Sequence, residues 1–479
     1  MHIVAAAWTL AVLACTGGDE PGKKNPPGPE GDSDTELTGE TGETPPDDTA
    51  PEVVIWGEPE AWVDEPALTF AGERPKNIIF LSIDTLQIQR LTRYGGDDTM
   101  PFLEGLLDAS VTLDNHRSCS NWTFTSVICA LGGRDPMDVG HVPTGQSAPV
   151  PIPSGVRMLS AFLAERDYAS LMVTANPYLS DTWGTTAELD RVIVESGATA
   201  QRIISLAQQP MTELTAEPEK PWFLHLHFLD PHIPYDPPDA YLGGLDALDE
   251  IPWSLATTAS TNAMKNNYSE QDEAMQALIL QHLDMRYAAG LRYLDDQLAE
   301  LWAGLEADGM LDDAAVVFWS DHGEQIYEHG KLGHGISLYD VENSALAAVW
   351  APGLEPLTWT GPTTHRDLLP TLWATMGWEP EPEFTGVPVG AADPNREIFG
   401  ITYQEAITTQ SMVAEGYKLI YIWTGELLLY NLTDDPREES NRHVAERGKA
   451  LELWVSLKPH VTRLYEEFYA DGTAPVDPD

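Results

Sequence analysis

The sequence predicts a three-layer α/β/α domain carrying a small C-terminal α+β subdomain. Three observations predict it. Unbroken apolar runs of strand length recur along the chain, as expected of strands covered on both faces. Between them lie segments whose apolar residues recur about every 3.6 positions, the helical period. After about Asp393 the texture changes to a hairpin pattern followed by one long helix. Strands alternating with helices give a layered sheet rather than a bundle or a sandwich.

The first run is Asn77–Ile83, and order is expected from about Pro75. Ala169–Thr174, Trp222–Phe228, Ala314–Trp319 and Leu346–Trp350 are the later strands. Periodicity predicts helices over Met100–Ala109, Gly155–Glu165, Ala198–Gln208 and Glu273–Gly309. The last ends at a glycine suited to a C-cap. Thr424-Gly425, between Lys418–Trp423 and Glu426–Asn431, reads as a hairpin turn. A helix over Val444–Phe468 follows. The main domain is thus expected over 75–393, and the subdomain and a frayed tail over 394–479.

Composition bounds the function. Of 479 residues, 42% are hydrophobic and 15 are Trp, enough for a sizeable core. Acidic residues number 76 against 26 basic ones, a net charge of -50. Such a surface repels phosphate backbones, so no nucleic-acid partner is expected, nor docking on anionic lipid by charge. Three Cys exclude a disulfide scaffold and a Cys-rich zinc module.

Residues 1–14 read as a signal peptide. Ile3–Ala14 is apolar except for Thr9, and too short to span a bilayer. Leu13-Ala14-Cys15 resembles a bacterial lipobox, whose Cys carries diacylglycerol after cleavage. The alternative is an ordinary signal peptide with a chance Cys. Thr16–Ala50 holds ten Asp/Glu against two Lys and no aromatic residue, so 15–74 is expected to be a lipidated Cys and an acidic tether. The expectation is a lipoprotein of the cell envelope or outer surface, held to the membrane through Cys15.

In open α/β sheets, ligands bind beyond the carboxyl ends of the strands. Asp84 follows the first strand. Asp321-His322-Gly323-Glu324 follows the Ala314–Trp319 strand after Ser320, and Asp230-Pro231-His232 follows Trp222–Phe228. A single Asp there is usually a helix N-cap. Three such endings point instead to a site for a hard or borderline cation. His225 and His227 share one face of their strand, and His227 is the one expected nearer the site.

These residues resemble the sulfatase family of the alkaline phosphatase superfamily. The resemblance rests on Asn77-Ile-Ile-Phe-Leu-Ser-Ile-Asp84, Tyr94-Gly95, Met100-Pro-Phe-Leu103, Asn121-Trp-Thr-Phe-Thr-Ser126 and Asn176-Pro-Tyr-Leu-Ser180. It continues through Leu226-His-Phe-Leu-Asp-Pro-His-Ile-Pro-Tyr235, Trp319-Ser-Asp-His-Gly-Glu324, Gly333-His-Gly335, Asp367-Leu-Leu-Pro-Thr-Leu372 and Leu429-Tyr-Asn-Leu432, in order over about 75–445. It implies an alkaline-phosphatase-like fold and one divalent metal ion (Ca, Mn, Mg or Zn) held by Asp84, Asp321 and His322. It places Thr123 at the nucleophile position, also against the metal. It puts His232, His334 and Lys331 at positions that contact the substrate anion. The implied activity is hydrolysis or transfer of a sulfate or phosphate ester through a covalent Thr intermediate. The implied substrate is a sulfated or phosphorylated small molecule, glycan or lipid head group.

The chain also departs from the family. Thr85 stands where sulfatases proper carry a second acidic residue. Position 123 is Thr, whose methyl group prevents conversion to formylglycine; related phosphoethanolamine and phosphoglycerol transferases use an unmodified Thr. Thr125 and Val127 replace a Pro and a basic residue of the nucleophile motif, and Asn343-Ser-Ala345 replaces Arg-Val-Pro. Such losses would also suit an inactive surface lipoprotein that binds a glycan or anion. Cys119 and Cys129 bracket Thr123 and read either as a disulfide or as two small buried apolar residues. His329 reads as a neighbour of the metal ligands. His282, His365, His443 and His460 read as surface or packing residues.

Overall fold

The computed structural model describes residues 60–140, 150–402, 408–468 and 474–478. The signal peptide, Cys15 and residues 16–59 of the tether lie outside the described residues. All described residues fall within one contact unit, Val53–Asp479, so the C-terminal segment is not a separate body. Among them, no helix is long and apolar enough to cross a membrane.

Strands and helices appear in chain order as β1 (Asn77–Ile83), α1 (Pro101–Asp108), β2 (Val111–Arg117), α2 (Thr123–Gly132), α3 (Leu159–Ala164), β3 (Ala169–Thr174), β4 (Arg191–Val194) and α4 (Ala200–Leu214). Then come β5 (Trp222–Phe228), α5 (Thr258–Asn267), α6 (Glu273–Ala307), β6 (Ala314–Ser320) and a two-stranded ribbon of β7 (Gln325–Ile326) and β8 (Leu332–Gly333). The main domain closes with α7 (Asp340–Asn343), β9 (Ala347–Trp350), β10 (Leu357–Thr364) and α8 (Leu368–Met376).

One eight-stranded sheet runs β10-β2-β9-β6-β1-β5-β3-β4. β1 is central and parallel to β5 and β6. Its side chains alternate between the two cores, as a pleat requires. Ile79, Leu81 and Ile83 pack with Leu103, Ile203 and Leu283 of α1, α4 and α6. Ile78 and Phe80 pack with Phe124, Phe162 and Leu372 of α2, α3 and α8. These are the three layers the sequence predicts.

The differences are local. The helix expected over Gly155–Glu165 is confined to α3, because Pro153 and the left-handed Gly155 (φ 92°) precede it. β2, β4 and β10 are strands that carry no unbroken apolar run longer than three residues. β2 ends in Asp-Asn-His-Arg, β4 is largely solvent-facing, and β10 holds Gly361-Pro362 at a register shift. α2 is buried at every position, so it shows no amphipathic stripe to read.

The C-terminal subdomain is an antiparallel sheet of β11 (Ile398–Ile401), β12 (Thr409–Ala414), β13 (Tyr417–Ile422) and β14 (Glu426–Asn431). The predicted hairpin joins β13 to β14 at Gly425, where φ is 93°. α9 (Arg447–Phe468) packs Leu453, Trp454, Leu457 and Val461 onto Leu419, Tyr421 and Leu429. Its start falls three residues after the exposed Val444. A buried charge network ties this sheet to the main one. Lys418 of β13 pairs with Asp340 at 2.7 Å and Glu438 at 3.1 Å, and Asp340 pairs with Arg117 of β2 at 2.8 Å.

Candidate active site

Parallel strands end at one edge of the sheet, so residues just beyond them converge. β1 delivers Asp84, β6 delivers Asp321 and His322, and β3 delivers Asn176. The register Ile83↔Ser320 sets Asp84 beside Asp321. One ligand atom from each of Asp84, Asp321 and His322 lies within 4.8 Å of the others, and all three residues are fully buried. Thr123 opens α2, where the helix dipole favours negative charge. Its Oγ1 is 3.4 Å from Asp84 Oδ2 and 3.4 Å from His322 Nε2.

The donor set fits a cation. Asp84 Oδ1 and Asp321 Oδ2 are buried and make no hydrogen bond among the described residues. An orphaned buried carboxylate oxygen is costly unless an ion takes it. The other oxygens are already engaged. Asp321 Oδ1 accepts from Thr85 N at 3.0 Å and His322 N at 2.8 Å, while Asp84 Oδ2 accepts from Asn176 Nδ2 at 2.8 Å. His322 Nδ1 donates to the Gly323 carbonyl at 2.9 Å, which leaves the Nε2 lone pair facing the cluster.

The electrostatics agree. Burial opposes ionisation of Asp84, but His227's hydrogen bond and the neighbouring imidazoles outweigh it and hold the carboxyl below the usual range. Burial, together with the charge on Asp84, pushes Asp321 well above that range. Two buried carboxyls without a cation do not both ionise. Burial drives His322 down to about 3, with His334 adding to it.

A second row of side chains flanks the cluster. The His334 ring lies 4.5 Å from the His322 ring and 5.0 Å from that of His232. His334 Nδ1 meets Glu324 Oε1 at 3.2 Å, and burial pushes Glu324 up to about 8. His232 Nδ1 donates to the Ile233 carbonyl, so Nε2 is its second proton site. His227 Nε2 lies 3.4 Å from Asp84 Oδ2, and Ser82 Oγ joins His227 Nδ1 to His225 Nε2 at 2.7 Å each.

Other readings resolve differently. Asp230 does not join the cluster: its Oδ1 accepts from Ala200 N at 3.1 Å and caps α4. Lys331 is exposed on the ribbon, and its carbonyl accepts from Tyr327 N. His329 stacks on Tyr339 with ring centres 3.7 Å apart rather than facing the metal ligands. His365 is a packing residue beneath the site, donating from Nε2 to the Asp321 carbonyl at 2.9 Å. Cys119 and Cys129 are paired in a disulfide, the first of the two readings. Val127 is buried in the apolar core, and Asn343 holds the nucleophile loop through Ser118 O at 2.8 Å. Thr85 takes a left-handed φ of 56°, with Oγ1 buried.

Two residues at the site carry no role in the sequence reading. Asn176 sits after β3 as Asp84 sits after β1, so its position was a signal. Lys265 of α5, whose charge acts on both Glu324 and His334, follows no strand and had none.

The family model described as Sulfatase matches residues 76–378. A choline-sulfatase of Rhizobium meliloti (strain 1021) is 27% identical over 270 residues, covering 51% of each chain. The chain thus spans about half the length of that curated relative. A protein solved in complex with its substrate D-glucosamine-2-N,6-O-disulfate superposes with a TM-score of 0.63 at 18% identity, covering 82% of this chain and 99% of that one. A phosphonate monoester hydrolase from Silicibacter pomeroyi does so with 0.63 at 16%, covering 81% and 95%. At such identity these two establish a shared fold.

Proposed function

The chain belongs to the sulfatase family, and from that premise we propose that it is a metal-dependent hydrolase of sulfate or phosphate esters with Thr123 as nucleophile. The observation that carries the reading is Thr123 Oγ1 poised 3.4 Å from two members of a buried Asp-Asp-His set with orphaned oxygens. Asp84, Asp321 and His322 would hold the cation. When bound, it supplies charge that lowers the hydroxyl pKa and stabilises a non-bridging oxygen.

The side chains supply the rest. Thr123 Oγ1 passes its proton to Asp84 Oδ2, 3.4 Å away, and forms a bond to sulfur or phosphorus as the bond to the leaving oxygen breaks. His232, protonated at Nε2 and oriented through Nδ1, gives that oxygen its proton. Water then attacks the threonine ester, and Oγ1 recovers a proton. Threonine cannot release its group by collapsing to an aldehyde, so the second step needs an electrophile that water attacks directly. That favours phosphoryl over sulfuryl esters.

The same geometry speaks against an inactive binder, which has no need of a hydroxyl aimed at paired carboxylates. The test is turnover of p-nitrophenyl phosphate, a phosphodiester analogue, a phosphonate monoester and p-nitrophenyl sulfate with added Mn, Ca, Mg or Zn. Metal-dependent release of nitrophenol supports the enzyme; a folded, metal-loaded protein with no turnover supports the binder. Export and anchoring through Cys15 belong to the proposal as well. A Cys15→Ala variant that still sediments with membranes would count against the anchor.

A further inference from the structure

The strand-end cluster accounts for the reacting group, yet a lysine in the row beside it has no part in that reading. α5 is pinned by Thr261 and Met264, both buried in the core. Just past it, Tyr268 stacks on Tyr327 of the ribbon with ring centres 3.9 Å apart and planes at 21°. These contacts fix Lys265 against β8. A Cβ built on Gly333 would lie 3.6 Å from Lys265 Nζ, 3.8 Å from Glu324 Oε1 and 3.8 Å from Ile233 Cδ1. Gly333 has φ 104°, which favours glycine, and a Cβ there would make only ordinary van der Waals contact with Nζ. No carboxylate lies within ion-pair distance of Lys265 among the described residues. In a chain with 76 acidic and 26 basic residues, a half-buried lysine with no ion pair among the described residues is unusual.

Its place relative to the nucleophile sets its role. Thr123 touches His322, the His322 ring faces the His334 ring, and Lys265 stands beyond His334, at Gly333. An ester held at Thr123 with its leaving oxygen at His232 would extend its alcohol along this wall, since the His232 and His334 rings lie 5.0 Å apart. We infer that Lys265 is a specificity-determining residue whose ammonium binds a second anionic group on the leaving portion of the substrate. The substrate class is then an ester whose alcohol carries a further carboxylate, sulfate or phosphate. The inference rests on the hydrolase reading for its kinetic form but not for its binding form.

The kinetic test pairs p-nitrophenyl phosphate with its 3-carboxy derivative, using the full chain and Lys265→Met. The variant should raise KM for the carboxylated ester about tenfold more than it raises KM for p-nitrophenyl phosphate, the size of one charge-assisted contact. Lys265→Arg should restore most of the preference. Equal shifts for both esters, or no shift for either, would overturn the inference. Calorimetry then asks the same question without turnover, with benzene-1,3-disulfonate against benzenesulfonate. A wild-type preference for the disulfonate that Lys265→Met abolishes sustains the inference even if no ester is hydrolysed, an outcome that sinks only the hydrolase reading. A wild type that binds both equally overturns it.

Discussion

The two halves of the site are built differently. Asp84, Asp321, His322 and Asn176 each stand within two residues of a strand end, and neighbouring strands fix their backbones. His232, Glu324, His334 and Lys265 come from loops, the β7–β8 ribbon and α5. The first half carries the residues that match the family's acid and imidazole positions by resemblance, apart from Thr85. The departures that the resemblance shows fall at Thr85, in the nucleophile motif at Thr123, Thr125 and Val127, and at Asn343-Ser-Ala345, none of them in the second half. A ligand set fixed by sheet register cannot move without breaking the sheet. A wall made of loops can change its charges while the fold persists. The cation-holding half is thus expected to be the constant part of the chemistry and the loop half the adjustable part.

That contrast can be broken by substitution. Asp321→Asn removes a ligand whose other oxygen already holds two backbone amides, so the fold should survive. Metal content should fall to background and turnover by about 10³-fold or more, read by metal analysis and initial rates. Burial raises the Asp321 pKa and a cation would bind the ionised carboxylate, so its affinity should rise with pH. His232→Ala should keep the metal and lose roughly 10²–10⁴-fold in kcat, most for poor leaving groups. Equal loss for good and poor leaving groups would contradict its role as acid.

Lys418→Met leaves Asp340 and Glu438 buried with a partner missing. It should cost about 3–5 kcal/mol in denaturant unfolding, in one transition if the two sheets fold together. The smallest effect is the sharpest control. Asp230 resembles a site residue by its place after β5 but caps α4 instead. Burial pushes its carboxyl from the ordinary aspartate range up to about 7. The folded state therefore keeps a proton that the unfolded chain sheds. The stability this gives is full below the unfolded pKa and lost as pH rises through about 7. Asp230→Asn should flatten that slope and leave metal affinity unchanged; a fall in metal affinity would place Asp230 in the site.

The same physical difference decided what could be read from sequence. The central strands were legible because burial on both faces demands unbroken apolar runs. Asp84, Asp321 and His322 were legible because the end of such a run is also a place in space. β2 and β10 were not, since polar residues there are satisfied by contacts distant in sequence, such as Arg117 with Asp340. Lys265 was not, because nothing local to α5 tells which strand end it will face. The disulfide was one of two open readings, because spacing alone does not decide pairing.

The central claim is that Thr123 carries the transferred group. The most direct measurement is acid quenching of the metal-loaded protein during turnover, followed by mass spectrometry of the peptide containing Thr123. The account predicts a sulfuryl or phosphoryl ester on Thr123, absent from Thr123→Ala, with turnover lost in that variant while metal is retained. Undiminished turnover by Thr123→Ala, with no modified threonine in the wild type, would contradict it.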